Sequence, residues 1–226
     1  MYAAVLRTPY ALRTFCAALV GRLSYGIVSL SVMLAVTDVT GSYAVAGAVM
    51  AVFGGASVLL SPLRALLVDR YGPRRALPPM ALVYAGLLGL FAVVVTVRSG
   101  VPGWVLVAWG GLAGASTPPL GPAMRTVCGQ LFGDRRLLQR AYSLDGVAEE
   151  VLFVSGPLLV GVLVLVAPAA AGVALSAALV AVGTLAFVAM PPVGAVGPVP
   201  RGERRRAGVA VAVTVGSYGG CGSPWS

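Results

Sequence analysis

The chain has 226 residues, of which 58% are hydrophobic and only 10% are charged, and its mean hydropathy is +0.93. Soluble domains average about 25% charged residues, so this composition excludes an ordinary soluble domain and predicts a polytopic membrane protein. The net charge of +9 comes from 16 arginines, with neither lysine nor histidine present. Because these arginines lie in short clusters between apolar segments, they indicate membrane orientation and argue against nucleic-acid binding.

Candidate catalytic and metal-binding groups are sparse. The three cysteines, Cys16, Cys128 and Cys221, show no spacing typical of a disulfide framework or a metal site. The pair Glu149 and Glu150 resembles the paired glutamates of intramembrane prenyl-protein proteases, but those enzymes also need histidine, as do rhomboid-type serine proteases. We therefore expect no enzyme, no cofactor and no metal site.

Six apolar segments are each long enough, at about 20 residues, to cross a bilayer as a helix. They are Phe15–Thr37, Tyr43–Leu60, Leu77–Val97, Trp104–Leu120, Leu144–Val166 and Ala169–Met190. The second continues past Pro62 into a charged turn, and the fourth is interrupted late by Pro118 and Pro119. The polar section from Arg125 to Arg140 is long enough to hold a short surface helix.

The two ends of the chain differ from the apolar segments. Residues 1–14 form a short basic leader that we interpret as a retained amino terminus, since no cleavage site follows. Residues 15–190 form the transmembrane domain, and residues 191–226 are a Pro/Gly/Arg-rich linker and tail. We expect this tail to be disordered or to result from truncation or a frame change near Arg201. A natural six-helix protein is the alternative.

The distribution of arginines predicts the orientation. In a six-span arrangement all but two of the 16 arginines fall on one side; Arg98 falls on the other side and Arg22 lies within a span. By the positive-inside rule both termini are then cytoplasmic, in a protein of the plasma membrane.

The most specific motif is the charged turn between the second and third spans. Asp69 and Arg70 lie where the second helix leaves the membrane, and Gly72 permits a positive φ for a tight reversal. Arg74 and Arg75 then stand at the entrance of the third helix, where they can contact lipid phosphate or a nearby carboxylate.

This turn resembles the loop between helices 2 and 3 of the major facilitator superfamily of secondary transporters. Ala65 and Pro73 replace a glycine and a basic residue of the usual pattern. The resemblance implies that the turn acts as a gating loop, formed by Asp69, Arg70, Gly72, Arg74 and Arg75.

A second motif lies in the fifth span. Gly156-Pro157 followed by Gly161 resembles the Gly-Pro-x-x-Gly element of helix 5 in the same superfamily, found most often in exporters. It implies a bend at which a neighbouring helix packs closely. The resemblance covers roughly residues 10–195. It implies an all-α fold of six transmembrane helices in a 3+3 inverted repeat, the amino-terminal half of a twelve-helix transporter.

Charged residues inside the spans are candidate functional groups, because they are costly in hydrocarbon. Arg22 and the pair Glu149 and Glu150 lie at similar depth by residue count. We expect Arg22 to pair with one of these glutamates, as a proton-sensitive switch or part of a substrate cavity; the alternative is that Arg22 snorkels to the surface. Asp145 is expected to cap the fifth helix, with a bond to the basic pair of the charged turn as the alternative.

The resemblance implies a secondary active transporter that exports small molecules or drugs, with proton coupling left open. Expected partners are membrane lipid, an unknown small-molecule substrate and H⁺. In the superfamily, substrate binds between two six-helix halves that rock against each other. A lone half therefore needs a homodimer or a separate second half. The alternative function is a truncated half that does not transport, or an accessory membrane protein.

Overall fold

The computed structural model describes residues 10–97 and 100–197. Most of the basic leader and nearly all of the tail, including Arg201, lie outside these residues. Regular structure in the described part of the chain is entirely helical. The helices are α1 (Ala11–Thr40), α2 (Tyr43–Leu59), α3 (Ser61–Tyr71), α4 (Pro73–Val97), α5 (Gly103–Ser116), α6 (Leu120–Leu131), α7 (Arg135–Leu163), α8 (Ala169–Ala189) and α9 (Pro191–Ala195).

Four of these helices, α1, α4, α7 and α8, are long and apolar enough to cross a membrane. Helices α2 and α3 meet at an angle of 44° and make a fifth candidate if they are counted as one bent span. Helices α5 and α6 follow each other across a short break. The all-α membrane fold is thus confirmed, and the six predicted spans are compatible with this order of helices.

The helix ends follow local rules of backbone geometry. Gly41 ends α1 with φ 65°, and Gly72 separates α3 from α4 with φ 79°, as predicted for a tight reversal. The Ser42 side chain accepts a hydrogen bond from the Val45 N–H at the start of α2. The helices joined by these short turns pack against each other.

Prolines cause the two breaks within spans. Proline has no N–H and its ring clashes with the preceding turn, so it interrupts a helix. Pro62 lies in the first turn of α3, directly after the bend at Leu60. Pro118 and Pro119 separate α5 from α6. Carbonyl groups near both breaks therefore lose their usual helical partners.

The polar section from Arg125 to Arg140 is helical on both sides of a short turn. Helix α6 continues through Arg125 to Leu131, and α7 begins at Arg135. Among the described residues, the section therefore forms the end of one helix and the start of the next and does not form a separate surface helix. Val127 and Cys128 are buried, whereas Arg125 is exposed. The exposed polar residues of this section lie on α6, in the short turn and in the first turns of α7.

Helix α1 lies at the centre of the bundle and packs against α8, α7 and α2. Helix α2 packs along α5, and α4 packs along α8. Glycine allows the closest approaches: Gly21 lies against the backbone of Gly183, and Gly26 lies against that of Gly156. Small residues at helix crossings are typical of membrane bundles, where backbone proximity replaces the hydrophobic effect as the source of packing energy.

The core consists of two apolar clusters with a polar layer between them. One cluster, at the end that carries the turn at Gly72, includes Phe15, Leu77 and Phe187. The other, towards the opposite end, includes Val36 and Val180. Tyr25 packs against both clusters. The polar residues around Tyr25 form the polar layer, and the candidate site lies there.

Candidate functional site

A buried ion pair joins α1 to α7 within the polar layer. The Arg22 guanidinium donates two hydrogen bonds to the Asp145 carboxylate, Nη1 to Oδ1 at 2.7 Å and Nη2 to Oδ2 at 3.2 Å. Both side chains are only 3% exposed. This two-pronged geometry is the strong form of a charge-assisted hydrogen bond. It fixes the position of both helices at this level of the bundle.

The predicted pairing of Arg22 with Glu149 or Glu150 is wrong. Asp145 lies on the face of α7 that packs against α1, together with Gly156. Glu150 follows Asp145 by five residues, about 1.4 turns, and is exposed on another face. The actual partner, Asp145, lies about 7.5 Å before Glu150 along the helix, so the residue count misjudged the depth of the partner as well as its helix face.

Glu149 has a different partner, although it remains close to the pair. Its carboxylate lies 3.8 Å from a guanidinium nitrogen of Arg125, in a partly exposed ion pair. Glu149 also lines a small cavity with Arg22, Tyr25 and Leu152. The structure therefore brings Arg22 and Glu149 to one cavity without direct contact, and it keeps Glu150 outside that cavity.

The expected capping role of Asp145 is also wrong. Helix α7 begins ten residues earlier than Asp145, at Arg135, and its cap is Asp134, whose carboxylate accepts a hydrogen bond from the Arg136 N–H at 3.0 Å. Asp145 consequently lies more than two turns inside the helix. Its carboxylate is bonded to Arg22 and not to the basic pair of the charged turn.

Arg64 is a second buried cation, and it is one of the arginines that the six-span arrangement places on the cytoplasmic side. Its side chain is 6% exposed and donates from Nε to the Leu60 carbonyl at 3.4 Å. The two remaining nitrogens donate to the carbonyls of Thr117 and Ser57. This side chain thus turns inward to carbonyls at the helix breaks, and its place on the cytoplasmic side stays a prediction.

The position of Arg64 follows from the proline breaks. Ser57 lies just before the bend between α2 and α3, and Thr117 directly precedes Pro118. The guanidinium therefore connects both breaks by bonding to a carbonyl at each. A sequence signal for this role does exist: Arg64 precedes Tyr71, the end of α3, by seven residues, about 10 Å along a helix. That depth is unusual for an arginine at a membrane surface.

Two tyrosines complete the polar layer. The Tyr25 hydroxyl donates at 2.5 Å to the Pro118 carbonyl, which also accepts from the Leu120 N–H at 2.9 Å. The ring of Tyr25 meets that of Tyr84 edge to face, with 6.5 Å between centroids. The Tyr84 hydroxyl is buried and has no hydrogen-bond partner within the described residues.

The residues of the predicted gating loop lie mostly within helices. Asp69 and Arg70 belong to the last turn of α3, while Arg74 and Arg75 belong to the first turn of α4. Gly72 is the single residue between the two helices. The Arg70 guanidinium lies 5.3 Å from the centroid of the neighbouring Tyr71 ring.

The same turn faces the segment that follows α8. The Arg74 guanidinium packs so closely on Gly194 that a Cβ there would lie 2.8 Å from Nη1. Asp69 lines a small pocket together with Val196. Val193, in α9, is fully buried in the cluster at this end. The start of the predicted linker thus packs against the end of the bundle that carries the turn at Gly72. The gating role of this turn stays a prediction.

The predicted bend in the fifth span lies in α7. A Cβ on Gly156 would lie within 3.0 Å of three backbone atoms of Gly26 in α1. Helix α7 continues through Pro157. Gly161 has no neighbouring heavy atom within 4 Å of a Cβ built on it. Gly156 is therefore the one of these residues that meets another helix, and a functional bend stays a prediction.

The similarity of the chain to known proteins agrees with this geometry. A profile of the Major Facilitator Superfamily matches residues 14–221. A search of the curated proteins gave no significant match.

Several solved structures share the fold. Peptide transporter POT in complex with sulfate has a TM-score of 0.62 at 17% identity, covering 97% of this chain and 48% of the transporter. A mutant of that transporter in complex with alafosfalin has a TM-score of 0.62 at 18% identity, covering 97% and 49%. A POT family transporter in complex with 5-aminolevulinic acid has a TM-score of 0.62 at 18% identity, covering 91% and 44%.

The chain spans about half the length of these transporters. The family is one of transporters and not of enzymes, in agreement with the expectation that the chain is no enzyme. With most of its length matched by the family profile, this multi-pass membrane protein belongs to the major facilitator superfamily.

Proposed function

We propose that the chain is one half of a secondary transporter that exports small molecules from the cell across the plasma membrane. The observation that best supports this proposal is the buried ion pair between Arg22 and Asp145. Charges within membrane spans are rare and mark substrate or ion pathways, because hydrocarbon cannot solvate them. Arg22 lines a small cavity together with Glu149.

Proton coupling fits the same groups. A carboxylate held by one arginine can take up a proton and release that arginine, which changes the contact between α1 and α7. Asp145 is the carboxylate bonded to Arg22, and Glu149 lines the neighbouring cavity. Both termini are cytoplasmic in this proposal, so the basic end of the bundle faces the cytoplasm.

Alternating access requires a second half, which we propose to pack against α7. An apolar stripe along this helix is more than half exposed at every position: Val147, Val151, Val154, Leu158 and Val162. The residues repeat every three or four positions and so lie on one face. A second copy of this chain or a separate half-transporter would cover the stripe, and lipid would cover it if neither is present.

Light scattering of the purified chain in nanodiscs, with the lipid contribution subtracted, tests the assembly. A homodimer, or a complex with a co-purifying half-sized chain, is expected. A monomer without any partner chain would instead favour the alternative of a half that does not transport.

Transport itself is tested in proteoliposomes with an imposed pH gradient, with uptake of ethidium, a neutral dansyl amide and an anionic dansyl acid measured in parallel. We expect uptake of at least one probe to depend on the gradient. Asp145→Asn, reconstituted only from protein that elutes as folded in size-exclusion chromatography, is expected to retain probe uptake but lose its dependence on the gradient. Glu149→Gln and Glu150→Gln are compared with it. Asp38→Asn, at the exposed end of α1, is the matched control. Proton coupling is excluded if all three carboxylate variants retain the wild-type dependence.

A further inference from the structure

A groove of about 310 Å³ opens on the outer side of the bundle, between α3, α4 and α5. Its walls are apolar and include Leu63, Leu67, Met80 and Val83. Leu63 and Val83 are 53% and 55% exposed, so the groove is open laterally. The volume lies near the lower limit of small-molecule sites, which span roughly 300–1,000 Å³.

Arg64 and Ser116 are the polar residues that border this groove. The Arg64 charge is buried, yet no carboxylate of the described residues lies within 4.0 Å of it. Its acceptors are carbonyl oxygens, which carry partial charge only. Arg22, by contrast, is neutralised by Asp145. The bundle therefore holds one buried cation without an anion, next to an open apolar groove.

The guanidinium also retains capacity for another acceptor. Arginine has five N–H donors. Arg64 uses one on each nitrogen for the carbonyls of Leu60, Thr117 and Ser57, and a further contact, to the Ser57 hydroxyl, is long at 3.5 Å. An acidic head group could thus bond to Arg64 without breaking its contacts at the helix breaks.

We propose that this groove binds a single-chain amphiphilic anion, with its carboxylate on Arg64 and its apolar chain along Leu63, Met80 and Val83. The proposal rests on the proposed function, because it names the substrate class of the same transporter. Two observations favour a single-chain acid over a phospholipid. The groove is small, and Arg64 lies about 10 Å along α3 from Tyr71, deeper than the interface where lipid phosphates lie.

The test is equilibrium binding to the chain in nanodiscs of neutral phosphatidylcholine. The probes are dansyl-labelled undecanoic acid and its methyl ester, which have the same chain but differ in charge. We expect the acid to bind at least tenfold more tightly than the ester. Arg64→Gln should remove this preference and Arg64→Lys should keep part of it. Equal binding of acid and ester, or a preference that survives Arg64→Gln, would overturn the proposal.

Two further variants separate binding from folding. Met80→Trp fills the groove without removing a hydrogen bond of Arg64, so it should abolish binding of the acid while the unfolding temperature is retained. Arg136→Gln removes an exposed arginine of α7 and should leave binding unchanged. Wild-type binding by Met80→Trp would show that the acid does not occupy the groove. Displacement of the probe by phosphatidic acid, at the level of the unlabelled acid, would identify a lipid as the occupant and overturn the proposal.

The binding test does not depend on transport. A chain that prefers the acid through Arg64 but moves no probe in proteoliposomes would contradict the proposed function and support the site. A chain that transports but binds acid and ester alike would contradict the site alone.

Discussion

At the scale of single residues, the ion pair between Arg22 and Asp145 dominates the interior of the bundle. Both groups lose their hydration when they are buried, and their mutual attraction offsets that cost only while both are present. The pair is therefore a weak source of net stability. It is a strong constraint on which faces of α1 and α7 can meet.

We expect Asp145→Asn to destabilise the protein by about 3–5 kcal/mol, because it leaves the Arg22 charge buried without a counter-ion. The double variant Arg22→Met with Asp145→Leu should be destabilised far less, since it removes both charges. The free energy of unfolding in detergent micelles measures these differences. Asp38→Asn, at the exposed end of α1, should stay within about 0.5 kcal/mol of wild type. A double variant as unstable as Asp145→Asn would contradict this account.

At the scale of helices, proline breaks and glycine contacts determine how the helices pack around α1. Proline breaks divide the second and fourth spans, and Arg64 and Tyr25 bond to carbonyls there. Glycine determines where α7 can approach α1, because a side chain at Gly156 would occupy the space of the Gly26 backbone. The sequence shows both prolines and glycines, but it does not show which helices they bring together.

Gly156→Ala tests the helix contact, with Gly161→Ala as its matched control in the same helix. The first variant forces α1 and α7 apart, so we expect a destabilisation of about 1–3 kcal/mol. The second has open space around the added methyl group and should be neutral or stabilising by about 0.5–1 kcal/mol, as alanine is favoured over glycine in helices. Thermal unfolding in detergent distinguishes the two. Equal effects would show that glycine acts through helix propensity alone.

At the scale of the whole molecule, charge is concentrated at one end of the bundle. The turn at Gly72, the start of α7 and the segment after α8 share this end, and exposed arginines surround them. The positive-inside rule predicts that this end faces the cytoplasm. The exposed acidic residue Asp38 lies at the opposite end, near the end of α1.

Cysteine labelling tests this orientation. In a chain with Cys16, Cys128 and Cys221 replaced by serine or alanine, Asp38→Cys and Gly133→Cys each introduce one exposed thiol. A membrane-impermeant maleimide should label Asp38→Cys in intact cells and Gly133→Cys only after permeabilisation. The cysteine-free chain is the control for background labelling. The reverse pattern would refute cytoplasmic termini.

The sequence alone determined the class of this protein. Hydrophobic segments of bilayer length can be stable only as membrane helices, and the order of charged turn, glycine and proline motifs identified the superfamily. The positive φ of Gly72 could also be predicted from the local sequence, because a one-residue turn between two helices requires a backbone conformation that glycine adopts most easily.

Only the tertiary structure decided which charged residues meet. Asp145 and Glu149 are one helical turn apart on nearly the same side of α7, so the choice between them as the partner of Arg22 depends on the height at which α7 packs along α1. The inward turn of Arg64 likewise depends on two helix breaks, at Ser57 and Thr117, that are 60 residues apart in the chain. A span's length and composition follow from its own sequence, whereas its rotation and partners follow from packing against every neighbour.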